Sequence, residues 1–138
     1  MQKESAKNLT ELMMVHPLFQ TLPEDAVAEL CLQSMPVNVL DKEVLITEDE
    51  LNEALYLIVE GSAKVMMNGT HISDMESGEL IGEISVAGTS PPLASVIADG
   101  DMRVIVFPRE AIHQLMLAHE SFAKTIKNMG MERVYNPS

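Results

Sequence analysis

The chain has 138 residues, a size usual for one domain, and 46% of them are hydrophobic, so we expect one small, soluble, globular domain and not a disordered tail. The formal net charge of −12 opposes contact with phosphate backbones and anionic lipids, so we expect neither nucleic acid nor a membrane as a partner. The N-terminal residues lack the apolar core of a signal peptide, and no run of about eighteen apolar residues could span a membrane. Cys31, the only cysteine, cannot form an internal disulfide, which indicates a reducing, cytoplasmic setting.

The first 34 residues have helical patterns. Leu9, Leu12 and Met13 share one face of a helix predicted over residues 5–15, which ends before Pro17 because the residue preceding a proline avoids the helical region. Pro23 suits the first turn of a second helix. The apolar stripe of that helix consists of Ala26, Val27, Leu30 and Cys31.

From residue 35 the pattern changes to short apolar or alternating stretches, which predict β-strands. Asn68-Gly69 is a strong hairpin signal because both residues tolerate positive φ. We also predict a tight turn at Glu60-Gly61 and a break between two strands at Asp99-Gly100-Asp101. The predicted strands fall within residues 37–39, 43–46, 54–59, 63–67, 71–75, 96–98 and 102–107. Their spacing of about ten residues favours a barrel or a sandwich.

Helices return after Pro108, and the last one is predicted from about residue 120 to a frayed tail at 135–138. Phe122, Ile126 and Met129 lie on one stripe of that last helix, and this stripe has two interpretations. It can pair with a second copy of the chain, or it can pack on the chain's own barrel. The stripe covers only about one heptad, well short of a convincing coiled coil, so both interpretations remain open.

Residues 78–95 do not fit the hairpin pattern. Here a strand leads to a glycine and then to a short apolar helical turn that ends before Gly88. Such a turn directs unpaired backbone N–H groups at one point, which predicts an anion site.

This segment resembles the phosphate-binding cassette of the cyclic nucleotide-binding domain family. Gly78-Glu79-Leu80-Ile81-Gly82-Glu83 is similar to the family's Gly-Asp-x-Phe-Gly-Glu, and Pro91 with Ala94-Ser95 is similar to its closing Pro-Arg-Ala-Ala-Thr/Ser. Gly61 corresponds to the family's hairpin glycine. The resemblance covers residues 16–134, between an N-terminal helix at 1–15 and the tail at 135–138.

The resemblance implies a mainly β fold with flanking helices, an eight-stranded jelly-roll barrel or double-stranded β-helix of the cyclic-nucleotide-binding type. It implies a regulatory role and a ligand site, in which Glu83 would accept a hydrogen bond from a ribose hydroxyl. The ligand-binding residues it implies are Gly82, Glu83, Ile84, Ser85, Pro91, Pro92, Ala94 and Ser95.

The chain departs from the family pattern at the position of the cassette arginine, where it has Pro92. A buried phosphate needs a fixed cation, and proline offers neither charge nor N–H. No Lys or Arg occurs between Lys64 and Arg103, although either of these could fold inward and replace the missing cation. Two further glycines of the family correspond here to Lys42 and Asp49. The sequence therefore predicts weak or no binding of cAMP and cGMP, and a neutral or weakly anionic ligand instead.

Other functions have little support in the sequence. The four histidines include no His-x-His pair of the kind that a metal-binding cupin would need, and no nucleophile elbow is present, so we expect no enzyme, no catalytic residue, no metal and no cofactor. The helix-turn-helix that bacterial regulators of the family attach after the closing helix is absent from this sequence. The alternative is a structural adaptor or dimerisation module with an empty pocket. Its partner would be another protein or a second copy of the chain, as a homodimer.

Overall fold

A computed structural model describes residues 6–82 and 92–135 of the chain, with side chains for residues 9–82 and 92–129. The described helices flank one β-sheet. The helices are α1 (Ala6–Met14), a short 3-10 turn (Phe19–Thr21), α2 (Glu24–Gln33), α3 (Arg109–Ala118) and α4 (Glu120–Tyr135). The strands are β1 (Met35–Val39), β2 (Val44–Ile46), β3 (Ala54–Met67), β4 (Thr70–Met75), β5 (Leu80–Ile81) and β6 (Ser95–Pro108).

The described strands form one antiparallel sheet in the order β1-β6-β3-β4. β2 pairs with the start of β6, and β5 pairs with the first part of β3, at Tyr56 and Leu57. The sheet is not closed among these six strands, because β1 and β4 each have only one neighbour. The prediction of a mainly β fold with flanking helices is therefore confirmed.

The central strands β3 and β6 each run for 14 residues and pair along most of their length. The turn predicted at Glu60-Gly61 is wrong, since β3 continues through it and Glu60 pairs with Arg103 on β6. The register shifts on both sides of Glu60, so the strand bends at a bulge where a reversal was expected. The break predicted at residues 99–101 is also wrong, because β6 passes through it and Asp99 pairs with Ser62.

The hairpin at Asn68-Gly69 is confirmed. Both residues have positive φ, 51° and 78°, and Met67 pairs with Thr70 across the turn. These dihedrals are of the kind that two-residue hairpin loops require and that Asn and Gly tolerate.

Buried side chains form two clusters on opposite faces of the sheet, because successive residues of a strand point to opposite sides. Leu55 and Ile105 belong to a cluster shared with the helices. Ile58 and Val104 belong to the cluster on the other face of the sheet, which we call the barrel interior. The helical cluster also contains Leu9, Met13, Phe19, Val27, Leu30, Cys31, Ala111, Ile112, Phe122 and Ile126. The predicted apolar faces of α1 and α2 are thus buried on one side of the sheet, together with residues of α3 and α4.

Candidate functional site

The barrel interior is apolar. Its buried residues are Val39, Ile46, Ile58, Ala63, Met75, Ile81, Val96, Ala98, Met102 and Val104. Tyr56 packs against this cluster and donates its hydroxyl hydrogen to the Leu45 carbonyl at 3.2 Å. Desolvation by burial raises the pKa of the Tyr56 hydroxyl above its ordinary value. The interior therefore offers a ligand apolar contacts and few charges.

The cassette-like segment starts at β5. Two backbone hydrogen bonds hold the preceding turn against β3, from the Gly78 N–H to the Ile58 carbonyl at 2.8 Å and from the Ile58 N–H to the Glu79 carbonyl at 3.0 Å. The Glu79 carboxylate accepts a hydrogen bond from the Glu76 N–H in the same turn. The Glu79 carboxylate, one of the acidic groups near the cassette, is thus hydrogen-bonded to the backbone of its own turn.

Gly82 follows β5 with a φ of 96°, which side chains rarely allow. A Cβ at this position would lie 2.7 Å from Asn52 Nδ2 and 3.0 Å from the Ala54 carbonyl oxygen. The start of the cassette therefore requires glycine both for its backbone conformation and for space.

The end of the segment lies against the loop that joins β2 and β3, residues 47–53. Pro92 is buried, and its carbonyl accepts a hydrogen bond from the Asp49 N–H at 3.0 Å. Ser95 Oγ accepts one from the Glu48 N–H at 2.9 Å, while Ala94 is half-buried. Of the predicted ligand residues, the structure thus places Gly82, Pro92 and Ser95 against one loop. Glu83, Ile84, Ser85 and Pro91 lie outside the described residues.

Neither candidate for the missing cation faces the barrel interior. Arg103 lies between Met102 and Val104, which both point inward, so its side chain is on the outer face, where Nη1 is 3.2 Å from Glu60 Oε1. The pair lines an open cavity of about 280 Å³ together with residues of 38–40 and 101–102.

Lys64 is arranged in the same way. Its neighbours Ala63 and Val65 belong to the interior cluster, and its Nζ is 3.9 Å from Asp99 Oδ1 on the outer face. Arg103 and Lys64 therefore both lie on the outer face of the sheet, each near a carboxylate.

Two residues of this region were missed in the sequence. Asn52 is the one buried polar side chain among the described residues, and its amide bonds both backbone groups of Ala54, at 2.7 and 3.2 Å. Arg109 Nη1 donates to the Asn52 carbonyl at 3.0 Å. A cation in the first turn of a helix opposes the helix dipole, so the position of Arg109 just after Pro108 was a signal that it has another partner. Nothing in the sequence of residues 47–53 indicated that the side chain of Asn52 would be buried.

The stripe predicted on the last helix packs within the chain. Phe122 and Ile126 have no exposed surface and belong to the helical cluster, and Met129 is partly buried against it. Pairing of α4 with a second copy stays a prediction. No group of three or more metal-ligating side chains occurs among the side chains described, those of residues 9–82 and 92–129, and no described helix is both long and apolar enough to cross a bilayer.

An antiparallel sheet with flanking helices, and with Gly82, Pro92 and Ser95 placed against one loop, is typical of small β-roll domains. The family described as "Cyclic nucleotide-binding domain" matches residues 36–119, and this chain belongs to that family.

The similar proteins include regulatory subunits of protein kinases. A cAMP-dependent protein kinase regulatory subunit of Hypocrea atroviridis is 24% identical over 90 residues, which is 65% of this chain and 20% of that protein. The regulatory domain of Toxoplasma gondii PKA, solved with cAMP, has a TM-score of 0.81 and 18% identity, over 92% of this chain and 50% of that one. The regulatory subunit of a cAMP-independent protein kinase A from Trypanosoma cruzi, solved bound to guanosine, has a TM-score of 0.75 and 19% identity, over 83% and 42%. This chain thus spans half or less of the length of each of these relatives.

Proposed function

We propose that this chain is a non-catalytic regulatory domain that binds cAMP and cGMP weakly or not at all and takes a neutral or weakly anionic small ligand in the same site. The observation that carries the proposal is the buried Pro92 at the position of the family's arginine, together with the outward placement of Arg103 and Lys64. Among the described cations, Arg109 also lies in this region, where its guanidinium donates to the Asn52 carbonyl of the 47–53 loop.

The expected loss of affinity is large. A charge-assisted hydrogen bond contributes about 1.5–3 kcal/mol, and a charge left buried without a partner costs about 3–5 kcal/mol. At about 1.4 kcal/mol per decade, the affinity for a cyclic nucleotide should fall by about two to three orders of magnitude.

A nucleoside is the ligand class that fits this chemistry. The Trypanosoma cruzi relative is a cAMP-independent protein solved with guanosine, which carries no phosphate. A nucleoside would place its base and ribose against backbone donors and the apolar interior without burying a negative charge. Glu83 as a ribose acceptor, a protein partner that receives the signal and a reducing, cytoplasmic location are further parts of the proposal.

Isothermal titration calorimetry with cAMP, cGMP, adenosine and guanosine tests the proposal. We expect a nucleoside to bind more tightly than the matching cyclic nucleotide. A micromolar or tighter constant for cAMP or cGMP would overturn the proposal.

The matched variants are Pro92→Arg and Leu93→Arg. Both add one guanidinium to the same segment, but Pro92 is buried, whereas Leu93 is 52% exposed. Only Pro92→Arg should gain cyclic-nucleotide affinity, of up to about two orders of magnitude. An equal gain in both variants would show general charge attraction, and no gain in either would favour the adaptor with an empty pocket. Mass spectrometry of small molecules released from the purified protein separates a resident ligand from an empty pocket.

A further inference from the structure

The β3–β4 hairpin ends in an exposed two-residue loop. Asn68 and Gly69 make this loop, and both residues are exposed. A Cβ built on Gly69 would meet nothing within 4 Å, so no other described part of the fold covers this glycine. Among the asparagines of the chain, Asn68 is the only one that is followed by glycine. The loop thus brings together an asparagine side chain, a neighbour without a side chain, and solvent.

The side-chain amide of Asn68 is not held in one orientation. Within the described part of the chain it makes no hydrogen bond, whereas the backbone N–H of the same residue donates to Glu48 Oε1 at 3.0 Å. Asn52 is the opposite case, because its buried amide is bonded to both backbone groups of Ala54. The Asn68 amide can therefore turn towards the backbone of the next residue.

An asparagine amide in this setting reacts with the backbone nitrogen that follows it. The Gly69 nitrogen loses its proton to hydroxide and attacks Asn68 Cγ; the N–Cγ bond forms, the Cγ–Nδ2 bond breaks, and the amide nitrogen takes a proton from water and leaves as ammonia. Water then opens the cyclic imide. Opening at Cγ gives aspartate, and opening at the backbone carbonyl carbon gives isoaspartate, whose chain runs through Cβ and Cγ. Overall one water is consumed and one ammonia is released, and nothing is oxidised or reduced.

Glycine is the neighbour that permits this attack most readily, because it has no Cβ to keep the two groups apart. We propose that Asn68-Gly69 is a modification site, at which spontaneous deamidation converts an amide into a carboxylate near Glu48 and weakens the contact between the hairpin and the 47–53 loop. The reactants are this chain and water, so the proposal does not rest on the identity of any ligand.

The effect on the fold follows from the position of Glu48. Its carboxylate is bonded to the N–H of residue 68, and both products place a second carboxylate only a few covalent bonds from that N–H. Two like charges at such a distance repel each other, in a chain whose net charge is already −12. Isoaspartate also adds a carbon to the backbone of the loop that sets the register of β3 and β4.

Peptide mapping by mass spectrometry, after incubation of the folded protein at physiological temperature and pH, tests the proposal. We expect residue 68 to gain the mass of an amide-to-acid conversion severalfold faster than Asn38 and Asn128, which precede Val39 and Met129. A protein isoaspartate methyltransferase should label the same peptide. Conversion of residue 68 no faster than that of the other two asparagines would overturn the proposal.

The matched variants for the reaction route are Gly69→Ala and Gly78→Ala. Both glycines have positive φ, 78° and 91°, and an open Cβ position, so the two variants carry a similar backbone strain. Only Gly69→Ala places a methyl group beside the attacking nitrogen, and it should slow conversion of residue 68 severalfold. Strain that opened the hairpin would speed the reaction, so it cannot mimic this result. An equal rate in the two variants would refute the imide route.

A double-mutant cycle tests the repulsion from Glu48. Asn68→Asp reproduces the aspartate product, and Asn128→Asp adds the same charge at an exposed position of α4. Asn68→Asp should raise the equilibrium constant of unfolding by up to about fivefold, and Glu48→Gln should remove most of that rise. The effect of Asn128→Asp should be the same with Glu48 and with Gln. If Glu48→Gln leaves the effect of Asn68→Asp unchanged, the proposed repulsion is wrong. None of these measurements uses a ligand, so their outcomes are independent of the titrations that test the proposed function.

Discussion

At Gly61, β3 and β6 lie so close together that no Cβ fits between them, and Gly61→Ala should be strongly destabilising. A Cβ there would lie 2.6 Å from the Met102 Cβ, 2.8 Å from the Asp101 carbonyl oxygen and 2.9 Å from the Met102 Cα. Two of these three atoms belong to the backbone of β6, so the overlap can be relieved only by separating the strands. Such overpacking costs about 1–3 kcal/mol. The φ of 94° adds about 1–2 kcal/mol for a residue with a Cβ.

Gly78→Ala is the matched control. Gly78 has a φ of 91°, so an alanine there carries a similar backbone strain, but its Cβ would meet nothing within 4 Å. The smaller unfolded-state entropy of alanine is common to both variants and cancels in the comparison. Gly61→Ala should therefore be less stable than Gly78→Ala by about 1–3 kcal/mol. The difference is measured from the midpoints of urea denaturation curves that share the same m-value. Equal midpoints would show that the strands do not meet closely at Gly61 and would refute the reasoning.

Three further predictions concern single positions. Lys42→Gly should stabilise the fold by up to about 1 kcal/mol, because removing the backbone strain at a φ of 72° outweighs the added entropy of the unfolded chain. Lys42→Ala keeps the Cβ and should give no gain. An equal gain in both variants would contradict this reasoning. Since burial raises the pKa of Tyr56, its hydroxyl ionises at a lower pH in the unfolded chain than in the folded one. The free energy of unfolding should therefore be unaffected by Tyr56 below about pH 10 and fall above it by up to about 1.4 kcal/mol per pH unit. Tyr56→Phe should flatten this decline in denaturation curves measured between pH 9 and 11, and an unaltered decline would assign it to other groups. If α4 pairs with a second copy, Met129→Glu should lower the mass measured by light scattering while Asn128→Glu leaves it unchanged; the same mass in both variants and the parent would argue against pairing through this stripe.

Glycine shows how far turns can be predicted from the sequence. At Asn68-Gly69 two adjacent residues tolerate positive φ, and the structure uses both of them in a hairpin. At Glu60-Gly61 only the glycine has positive φ, and it permits close strand contact where a reversal was expected. A short-range pattern reports the dihedral that a residue can adopt, whereas the role of that dihedral depends on which strand lies across from it.

The helices were easier to predict because their apolar stripes report burial directly. Phe122 and Ile126 are fully buried, as the spacing indicated, although the same spacing could not say whether the partner surface lies in the same chain. The contact between Asn52 and Arg109 could not be predicted, since the two residues are 57 positions apart and meet only through the sheet.

The sequence predicts that Lys42 and Asp49 stand where the family has glycines. Lys42 and Asp49 keep positive φ, at a conformational cost of about 1–2 kcal/mol each, in space that accepts a side chain. At Gly61 and Gly82 the space itself is occupied, and glycine is present. Pro92 is buried, and its carbonyl accepts a hydrogen bond from the Asp49 N–H. The hydrogen bond between Asp49 and Pro92 uses only the backbone of residue 92, so it does not depend on the side chain at that position, in keeping with the proposed role of position 92 in ligand selectivity.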